Sequence, residues 1–260
     1  MPPRYEVFLR VGHAGHRPTE HASPSRGGVQ HRTPLRLAAA QPPCVPLDVA
    51  ENARAHAAAV RAARARVVVF PELSLTGYEL QGPVVSVEDP RLAPLVEACA
   101  ETGTLALAGA PVAGEHIATL AVTGDGVTIA YRKMWLGDVE ARRFRPGDAP
   151  AALDVDGWRV GLAICKDTGV AAHAAETAAL GIDVYAAGVL ESACYAAVPD
   201  GRARRIATTH GVWVAVASFA GSTGGGYTEA AGGSAIWSPA GEVHAQAGTE
   251  PGSLARADIG

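Results

Sequence analysis

One short apolar run, Val67-Val68-Val69-Phe70, constrains the fold of this chain more than any other stretch. Apolar residues without polar alternation are typical of a strand that is buried on both faces, as in a parallel sheet covered by helices. Upstream, residues 35–41 predict an earlier strand. Asp48 and Glu51 then form a capping-box-like start to a helix that ends near Arg64. A strand, a helix and a strand in this order predict two parallel neighbours joined by a right-handed crossover, and hence an α/β fold.

The rest of the chain continues with strands and helices. Three further helices are predicted over residues 91–101, 171–180 and 200–210. Eight further strands are predicted over residues 105–110, 117–122, 127–131, 158–164, 183–187, 212–217, 234–237 and 242–245. The hairpin turns expected among them are Gly124-Asp125-Gly126 and Ser238-Pro239-Ala240-Gly241. We find no repeat of fixed period, and the pattern predicts one domain over residues 35–260.

Composition and charge argue against several classes of function. The net charge is −4 and the isoelectric point about 6.1, which speaks against nucleic acid or an anionic membrane as a partner. The sequence has neither an apolar run long enough to span a bilayer nor a tripartite secretory signal. The four cysteines, Cys44, Cys99, Cys165 and Cys194, form no CxxC pair and no metal-ligand spacing. We interpret them as reduced thiols of a cytoplasmic protein without a metal centre.

Residues 1–34 differ from the rest of the chain. They are rich in proline, histidine and arginine and have little periodic apolar content, so a disordered extension is predicted. Two other interpretations stay open. One is a targeting peptide, because the segment is rich in arginine and poor in acids. The other is a metal site, whose ligands would be His13, His16, His21 and His31, although their spacing matches no metal motif closely.

Three chemically different side chains follow predicted strand ends: Glu72, Lys133 and Cys165. Taken singly, each has an ordinary explanation in core packing, solvent exposure or a loop. Taken together, a carboxylate, an ammonium and a thiol at the edge of an α/β sheet form an acyl-transfer site. In such a site Glu72 is the base for the thiol. Lys133 and the backbone N–H of Lys166 stabilise the oxyanion, and the next residue, Asp167, is a further candidate for substrate or oxyanion contact.

Short motifs surround these residues in a fixed order along the chain. They are Phe70-Pro71-Glu72-Leu73, Thr76-Gly77-Tyr78, Tyr131-Arg132-Lys133, Arg142-Arg143-Phe144-Arg145-Pro146-Gly147, Gly161-Leu162-Ala163-Ile164-Cys165-Lys166-Asp167, Arg202-Ala203-Arg204 and Gly233-Ser234-Ala235-Ile236. As an ordered set they resemble the nitrilase, or carbon-nitrogen hydrolase, superfamily. The resemblance extends from Leu35 to about Asp258.

This resemblance implies a four-layer α-β-β-α sandwich and a catalytic triad of Glu72, Lys133 and Cys165. It also implies an assisting glutamate, for which Glu140 occupies the matching position. No cofactor is expected, and the family's habit of dimerising implies a homodimer or a higher homo-oligomer. The substrate implied is a small molecule with an amide, carbamoyl or nitrile group.

The residues after Cys165 bear on the choice of substrate. Lys166 and Asp167 are similar to the C-x-D of the amidase-like branches, whereas the nitrile-cleaving branch usually has Trp-Glu there. A linear amide or a carbamoyl group is therefore favoured. A nitrilase, an amide acyltransferase and a catalytically silent binding protein of the same fold remain as alternatives.

Three segments or residues are candidates for the pocket wall. Residues 168–173 depart from the family pattern at a place that borders the pocket in the family. Glu191 and Tyr195, which follow a predicted strand end, are candidates for substrate contact, and an ordinary loop is the alternative.

Overall fold

The computed structural model describes residues 32–260, which form fourteen strands and four α-helices. The strands are β1 (Leu35–Ala40), β2 (Val67–Val69), β3 (Leu105–Val112), β4 (His116–Thr123), β5 (Gly126–Arg132), β6 (Ala152–Val155), β7 (Trp158–Ile164), β8 (Val184–Val189), β9 (Trp213–Ser218), β10 (Ala220–Gly221), β11 (Ala230–Ala231), β12 (Ala235–Trp237), β13 (Val243–Gln246) and β14 (Leu254–Ile259). The helices are α1 (Val49–Ala63), α2 (Ala93–Thr102), α3 (Ala171–Ala178) and α4 (Ala197–His210). None of these helices combines the length and apolarity that crossing a membrane requires.

Two six-stranded sheets form the centre of the protein. Their strand orders are β14-β1-β2-β3-β4-β5 and β13-β12-β9-β8-β7-β6. Strands β1, β2 and β3 run parallel, as do β7, β8 and β9, and antiparallel strands complete both sheets. The parallel pairing of β1 with β2 across α1 confirms the crossover that the sequence predicts.

Three apolar cores separate four layers of secondary structure. The first lies between the sheets, the second between α1 and α2 and the first sheet, and the third between α3 and α4 and the second sheet. Strand β2 shows the alternation behind this arrangement, because Val67 and Val69 face the central core while Val68 faces the helices. A strand buried on both faces therefore has a continuous apolar sequence. The four layers confirm the predicted α-β-β-α sandwich.

Helix α1 begins and ends as its sequence predicts. The Asp48 side chain accepts a hydrogen bond of 2.9 Å from the Glu51 N–H, and Arg64 ends the helix in a left-handed conformation. Its buried face follows helical periodicity through Val49, Ala53, Ala57 and Val60.

Several edge elements are absent from the sequence prediction. Strands β6 and β14 pair at sheet edges, and β10 and β11 form a separate two-stranded antiparallel sheet. Residues 1–31, with the four histidines considered as metal ligands, lie outside the described residues, so the predicted extension stays a prediction. Arg32 already contacts the domain, because its guanidinium donates two hydrogen bonds of 2.7 and 2.8 Å to Asp183.

Gly188 in β8 lets the two sheets approach each other at the ends of their strands. A Cβ atom there would lie 2.9 Å from the Glu72 nitrogen and closer still to the Phe70 carbonyl oxygen. Both are backbone atoms, so they have little room to move. We expect Gly188→Ala to lower the free energy of unfolding by about 1–3 kcal/mol, measured by urea denaturation.

A matched control is Gly201→Ala in α4, where a Cβ meets no heavy atom within 4 Å. This helical substitution should leave stability unchanged or raise it by up to about 1 kcal/mol. Equal effects of the two substitutions would show that the close approach at Gly188 has no energetic weight.

Candidate active site

Glu72 lies in a tight turn that directly follows β2. The turn is held by a hydrogen bond of 3.2 Å from the Ser74 N–H to the Pro71 carbonyl and one of 2.9 Å from the Leu75 N–H to the Gly109 carbonyl. Gly109 in β3 lacks a Cβ, which allows the turn to lie against that strand. The Glu72 carboxylate is 1% exposed and is thus fixed in the interior at the end of the first sheet.

Lys133 stands between two carboxylates. It follows β5, and its ammonium lies 2.6 Å from Oε1 of Glu72 and 2.8 Å from each oxygen of Glu140. All three residues are at most 2% exposed. Glu140 also accepts a hydrogen bond of 2.6 Å from the Gly137 N–H. The second oxygen of Glu72, Oε2, receives no hydrogen bond of ordinary geometry from the described residues.

Cys165 follows β7 and begins a 3-10 turn that runs to Gly169. Its φ of 44° lies in the left-handed region, which is costly for a residue with a side chain. The sulfur is half-buried and lies 3.5 Å from the carbonyl oxygen of Leu190, just beyond β8. The strained turn aims the thiol away from its own strand and toward the ends of the neighbouring strands.

The electrostatics of this cluster push the pKa values of its two glutamates apart. Burial raises the pKa of Glu72 to about 7, against the pull of Lys133, and the charge of Glu140 adds to the rise. Burial acts the same way on Glu140, but Lys133 together with the hydrogen bonds from Gly137 and Tyr78 outweighs it, and the pKa of Glu140 is lowered. The two glutamates therefore differ in their protonation near neutral pH, with Glu140 ionised and Glu72 titrating.

The thiol and the ammonium keep their protons at neutral pH. Burial and the charge of Glu72 raise the pKa of Cys165 to about 12. Burial alone would lower the pKa of Lys133, but Glu72, Cys165 and Glu140 together raise it above its ordinary value. A neutral thiol thus lies beside a carboxylate that titrates near pH 7 and a permanent cation.

Comparison with known proteins decides the family. The model of the family described as "Carbon-nitrogen hydrolase" matches residues 36–260 of the chain. The chain belongs to the carbon-nitrogen hydrolase family. The enzyme is therefore a hydrolase of carbon-nitrogen bonds, and the resemblance seen in its sequence is confirmed.

Individual relatives of this carbon-nitrogen hydrolase agree with the family match. A protein described as a hydrolase from Mycobacterium tuberculosis is 33% identical over 224 residues, which cover 76% of this chain and 78% of the relative. A hydrolase from Pseudomonas protegens is 32% identical over 200 residues, covering 72% and 70%. Among solved structures, a mutant of the Nesterenkonia amidase of the nitrilase superfamily has a TM-score of 0.78 at 25% identity, covering 90% of this chain and 93% of that one.

Two tyrosines join the site that the sequence did not single out for chemistry. The Tyr78 hydroxyl donates a hydrogen bond of 2.7 Å to Oε1 of Glu140, and the Tyr78 ring meets the edge of Tyr227 at 5.3 Å. Burial raises the pKa of Tyr227, and the charges of Cys165 and Glu191 contribute to the rise. Tyr78 stands within a motif that the sequence does show. Tyr227 lies in a glycine-rich loop far along the chain, where no local sequence pattern indicates a place in the site.

The other predicted site residues have distinct locations. Lys166 is exposed, and its ammonium donates a hydrogen bond of 2.6 Å to the Leu136 carbonyl. Asp167 is fully buried. Glu191 directly follows Leu190, whose carbonyl meets the thiol, and its backbone oxygen accepts a hydrogen bond from the Ala231 N–H. Tyr195 is 61% exposed, at the outer end of this segment.

The segment expected to border the pocket turns partly inward. His173, at its end, is completely buried rather than exposed to a pocket. Within residues 32–260, no three His, Cys, Asp or Glu side chains come together in a way that could hold a metal ion.

Proposed function

We propose that this enzyme hydrolyses a small-molecule amide through a thioester on Cys165. Glu72 is the general base and acid, Lys133 the cation, and Glu140 the anchor of that cation. The observation that carries the proposal is the buried cluster in which Lys133 lies 2.6–2.8 Å from three carboxylate oxygens. Such a cluster is costly to bury, so an enzyme retains it where its charges act on a reaction.

The first half of the reaction forms the thioester. Glu72 takes the proton of Cys165 while the sulfur bonds to the amide carbon, and the carbonyl electrons move onto oxygen. Because the ammonium of Lys133 is directed at carboxylates, Lys133 acts on the oxyanion through its charge, and the N–H of Lys166 is the direct donor. When the carbon–nitrogen bond breaks, Glu72 gives its proton to the nitrogen, and ammonia or an amine leaves.

The second half of the reaction releases the acid. Glu72, again ionised, takes a proton from water while the water oxygen bonds to the thioester carbon. The carbon–sulfur bond then breaks, and the sulfur regains a proton from Glu72. A carboxylic acid leaves and the starting enzyme returns. A base with a pKa of about 7 suits both directions of proton transfer near neutral pH.

Similar proteins support this assignment. A structure of the Nesterenkonia amidase shows Michael addition of acrylamide at its active-site cysteine, and a cysteine-to-alanine mutant of it is in complex with butyramide. An amidase from Pseudomonas, described as (R)-stereoselective, is 29% identical over 125 residues, or 45% of this chain. We infer that Cys165 is the equivalent nucleophile here and that short amides are within reach of the site.

The charges around Cys165 favour a neutral amide over an N-carbamoyl amino acid. The negative charges of Glu72, Glu140 and Glu191 all contribute to the raised pKa of Tyr227 at the site. The cation Lys133 is already paired with two carboxylates. The carboxylate of a carbamoyl amino acid would thus enter a negative environment. We expect kcat/KM for butyramide to exceed that for N-carbamoyl-β-alanine by at least about tenfold.

An assay of ammonia release over a substrate panel tests the reaction. The panel holds butyramide, N-carbamoyl-β-alanine and butyronitrile, each with and without hydroxylamine as an acyl acceptor. Butyric acid and ammonia from the amide are the expected products. A faster reaction with the nitrile would contradict the amidase assignment. If a hydroxamate forms in place of the acid at a low hydroxylamine concentration, the enzyme is an acyltransferase. If none of the three substrates reacts and Cys165 forms no adduct, a binding protein is favoured.

The pH dependence of turnover follows from Glu72. Its ionised form is the base, so kcat/KM should rise with pH through an apparent pKa near 7 and fall about tenfold for each unit below it. The measurement is kcat/KM for butyramide from about pH 5 to about pH 9. A profile that stays flat below pH 7 would exclude Glu72 as the titrating base.

We also propose that the enzyme forms a homodimer or a higher homo-oligomer. The family resemblance is the support for this. Light scattering of the purified protein, which reports mass independently of shape, tests it against a monomer of 26.6 kDa.

A further inference from the structure

A buried chain of polar groups lies directly behind the Cys165 turn, and the proposed reaction does not use it. Its centre is the Asp167 carboxylate, which is fully buried. Oδ2 accepts hydrogen bonds from the Ile164 N–H at 2.9 Å and from the Tyr131 hydroxyl at 2.7 Å. Oδ1 accepts one of 2.9 Å from the Trp135 N–H. Asp167 is thus held by donors from two separate strands.

These donors connect the two segments that carry reacting groups. Ile164 is the last residue of β7 and immediately precedes Cys165. Trp135 lies two residues after Lys133. The Asp167 carboxylate therefore ties the backbone on one side of the thiol to the backbone on one side of the ammonium, and a shift of this carboxylate would change the distance between thiol and cation.

The chain continues from Tyr131 to His173 and Tyr185. Nε2 of His173 lies 2.9 Å from the Tyr131 hydroxyl oxygen, and Nδ1 lies 2.9 Å from the Tyr185 hydroxyl oxygen. Because Tyr131 donates its single proton to Oδ2 of Asp167, its oxygen accepts from Nε2–H. Nδ1 of a neutral imidazole then accepts from Tyr185. Burial lowers the pKa of His173, which agrees with a neutral ring.

We propose that His173 and Tyr131 are positioning residues, which hold Asp167 and through it fix Cys165 relative to Lys133. The assignment rests on the proposed function of that site. The Cys165 backbone is in an unfavourable left-handed conformation, so it persists only where its surroundings determine it. The hydrogen bonds that Asp167 accepts from Ile164, Tyr131 and Trp135 hold the backbone in that conformation. His173 stands in the segment where this chain departs from the family pattern, whereas Tyr131 and Asp167 belong to the motifs that resemble the family.

Two polar substitutions at one position separate positioning from packing. Glutamine places its amide nitrogen near the position of Nε2 and keeps a donor for Tyr131. Asparagine reaches only the position of Nδ1 and loses that link. We expect His173→Asn to lower kcat for butyramide by about 10- to 100-fold with KM changed less than about threefold, and His173→Gln to stay within about threefold of the parent enzyme.

Tyr131→Phe extends the test to the next link in the chain. It removes the hydroxyl between Asp167 and His173, so we expect the same loss in kcat as for His173→Asn. If His173→Asn does not fold, Tyr131→Phe carries the comparison with His173→Gln. His210→Asn, at the end of α4, is the control for an asparagine in place of a histidine and should leave kcat unchanged.

A second readout does not depend on amide turnover. The rate at which iodoacetamide alkylates Cys165, followed by peptide mass spectrometry, should fall in His173→Asn and Tyr131→Phe but not in His173→Gln. Equal kcat and equal alkylation in His173→Gln and His173→Asn, once corrected for folded fraction, would overturn the positioning role. Full activity in Cys165→Ala would instead overturn the proposed function, so the two failures are distinguishable.

Discussion

Replacing Cys165 with alanine is expected to lower the turnover of butyramide by at least about four orders of magnitude. The substitution removes the atom that bonds to the substrate carbon, and the remaining charges cannot form a thioester in its place. It should cost little stability, because the thiol is half-buried and alanine keeps the Cβ atom that the left-handed backbone already accommodates. Ammonia release measures the loss, and intact-protein mass spectrometry under rapid quench should find an acyl adduct in the parent enzyme alone.

Cys194 supplies a matched control for this experiment. It is an exposed thiol that lies between Glu191 and Tyr195 in the chain. Cys194→Ala should keep both the turnover and the adduct. If Cys194→Ala abolished turnover while Cys165→Ala retained it, Cys194 rather than Cys165 would be the nucleophile.

The fold was predictable where burial on both faces leaves a continuous apolar signal. The run at residues 67–70 and the strand at residues 158–164 are such cases, and both strands are found where expected. Strand β14 was missed although exposed Arg256 and Asp258 alternate with buried residues, because two of its buried residues are alanines, which are depleted in strands. Its partner, β1, lies more than 200 residues earlier, so no local pattern reveals the pairing.

The candidate site was likewise only partly predictable from the sequence. The positions of Glu72, Lys133 and Cys165 at strand ends could be inferred, since the parallel strands of a sheet end at one edge. The two carboxylates around one ammonium could not be derived from spacing, because Glu140 reaches Lys133 from a short 3-10 helix, Glu140–Arg142, that no sequence pattern indicated. The burial of the His173 side chain could not be predicted from the sequence either, because its partners Tyr131 and Tyr185 lie in different sheets.

Lys133→Met is the second substitution with a large expected effect, and it acts on stability as well as activity. Methionine keeps much of the buried volume but leaves Glu72 and Glu140 without their cation. Breaking a buried ion pair from one side typically costs about 3–5 kcal/mol, which corresponds to a fall in Tm of roughly 6–20 °C for a domain of this size. Turnover of butyramide should fall by at least about a thousandfold, because the oxyanion loses its nearby charge.

Arg132→Met tests whether the effect is specific to the buried cation. Arg132 is the preceding residue, the last of β5, and is exposed, so removing its charge should change Tm by no more than about 2 °C. A fall in Tm as large as that of Lys133→Met would point to strand packing rather than to the loss of a buried charge.

The penalty of Lys133→Met should depend on pH in a defined direction. In the parent enzyme Lys133 lowers the pKa of Glu140 and opposes the rise in the pKa of Glu72. Without it, both carboxylates have folded-state pKa values above their unfolded ones. A group of this kind contributes stability that is fully present below its unfolded pKa and is lost as pH rises through the folded pKa. The difference in Tm between the parent enzyme and the variant should therefore be larger at about pH 8 than at about pH 5.5. A difference that shrinks toward high pH would show that Lys133 does not hold two ionisable carboxylates in the folded enzyme.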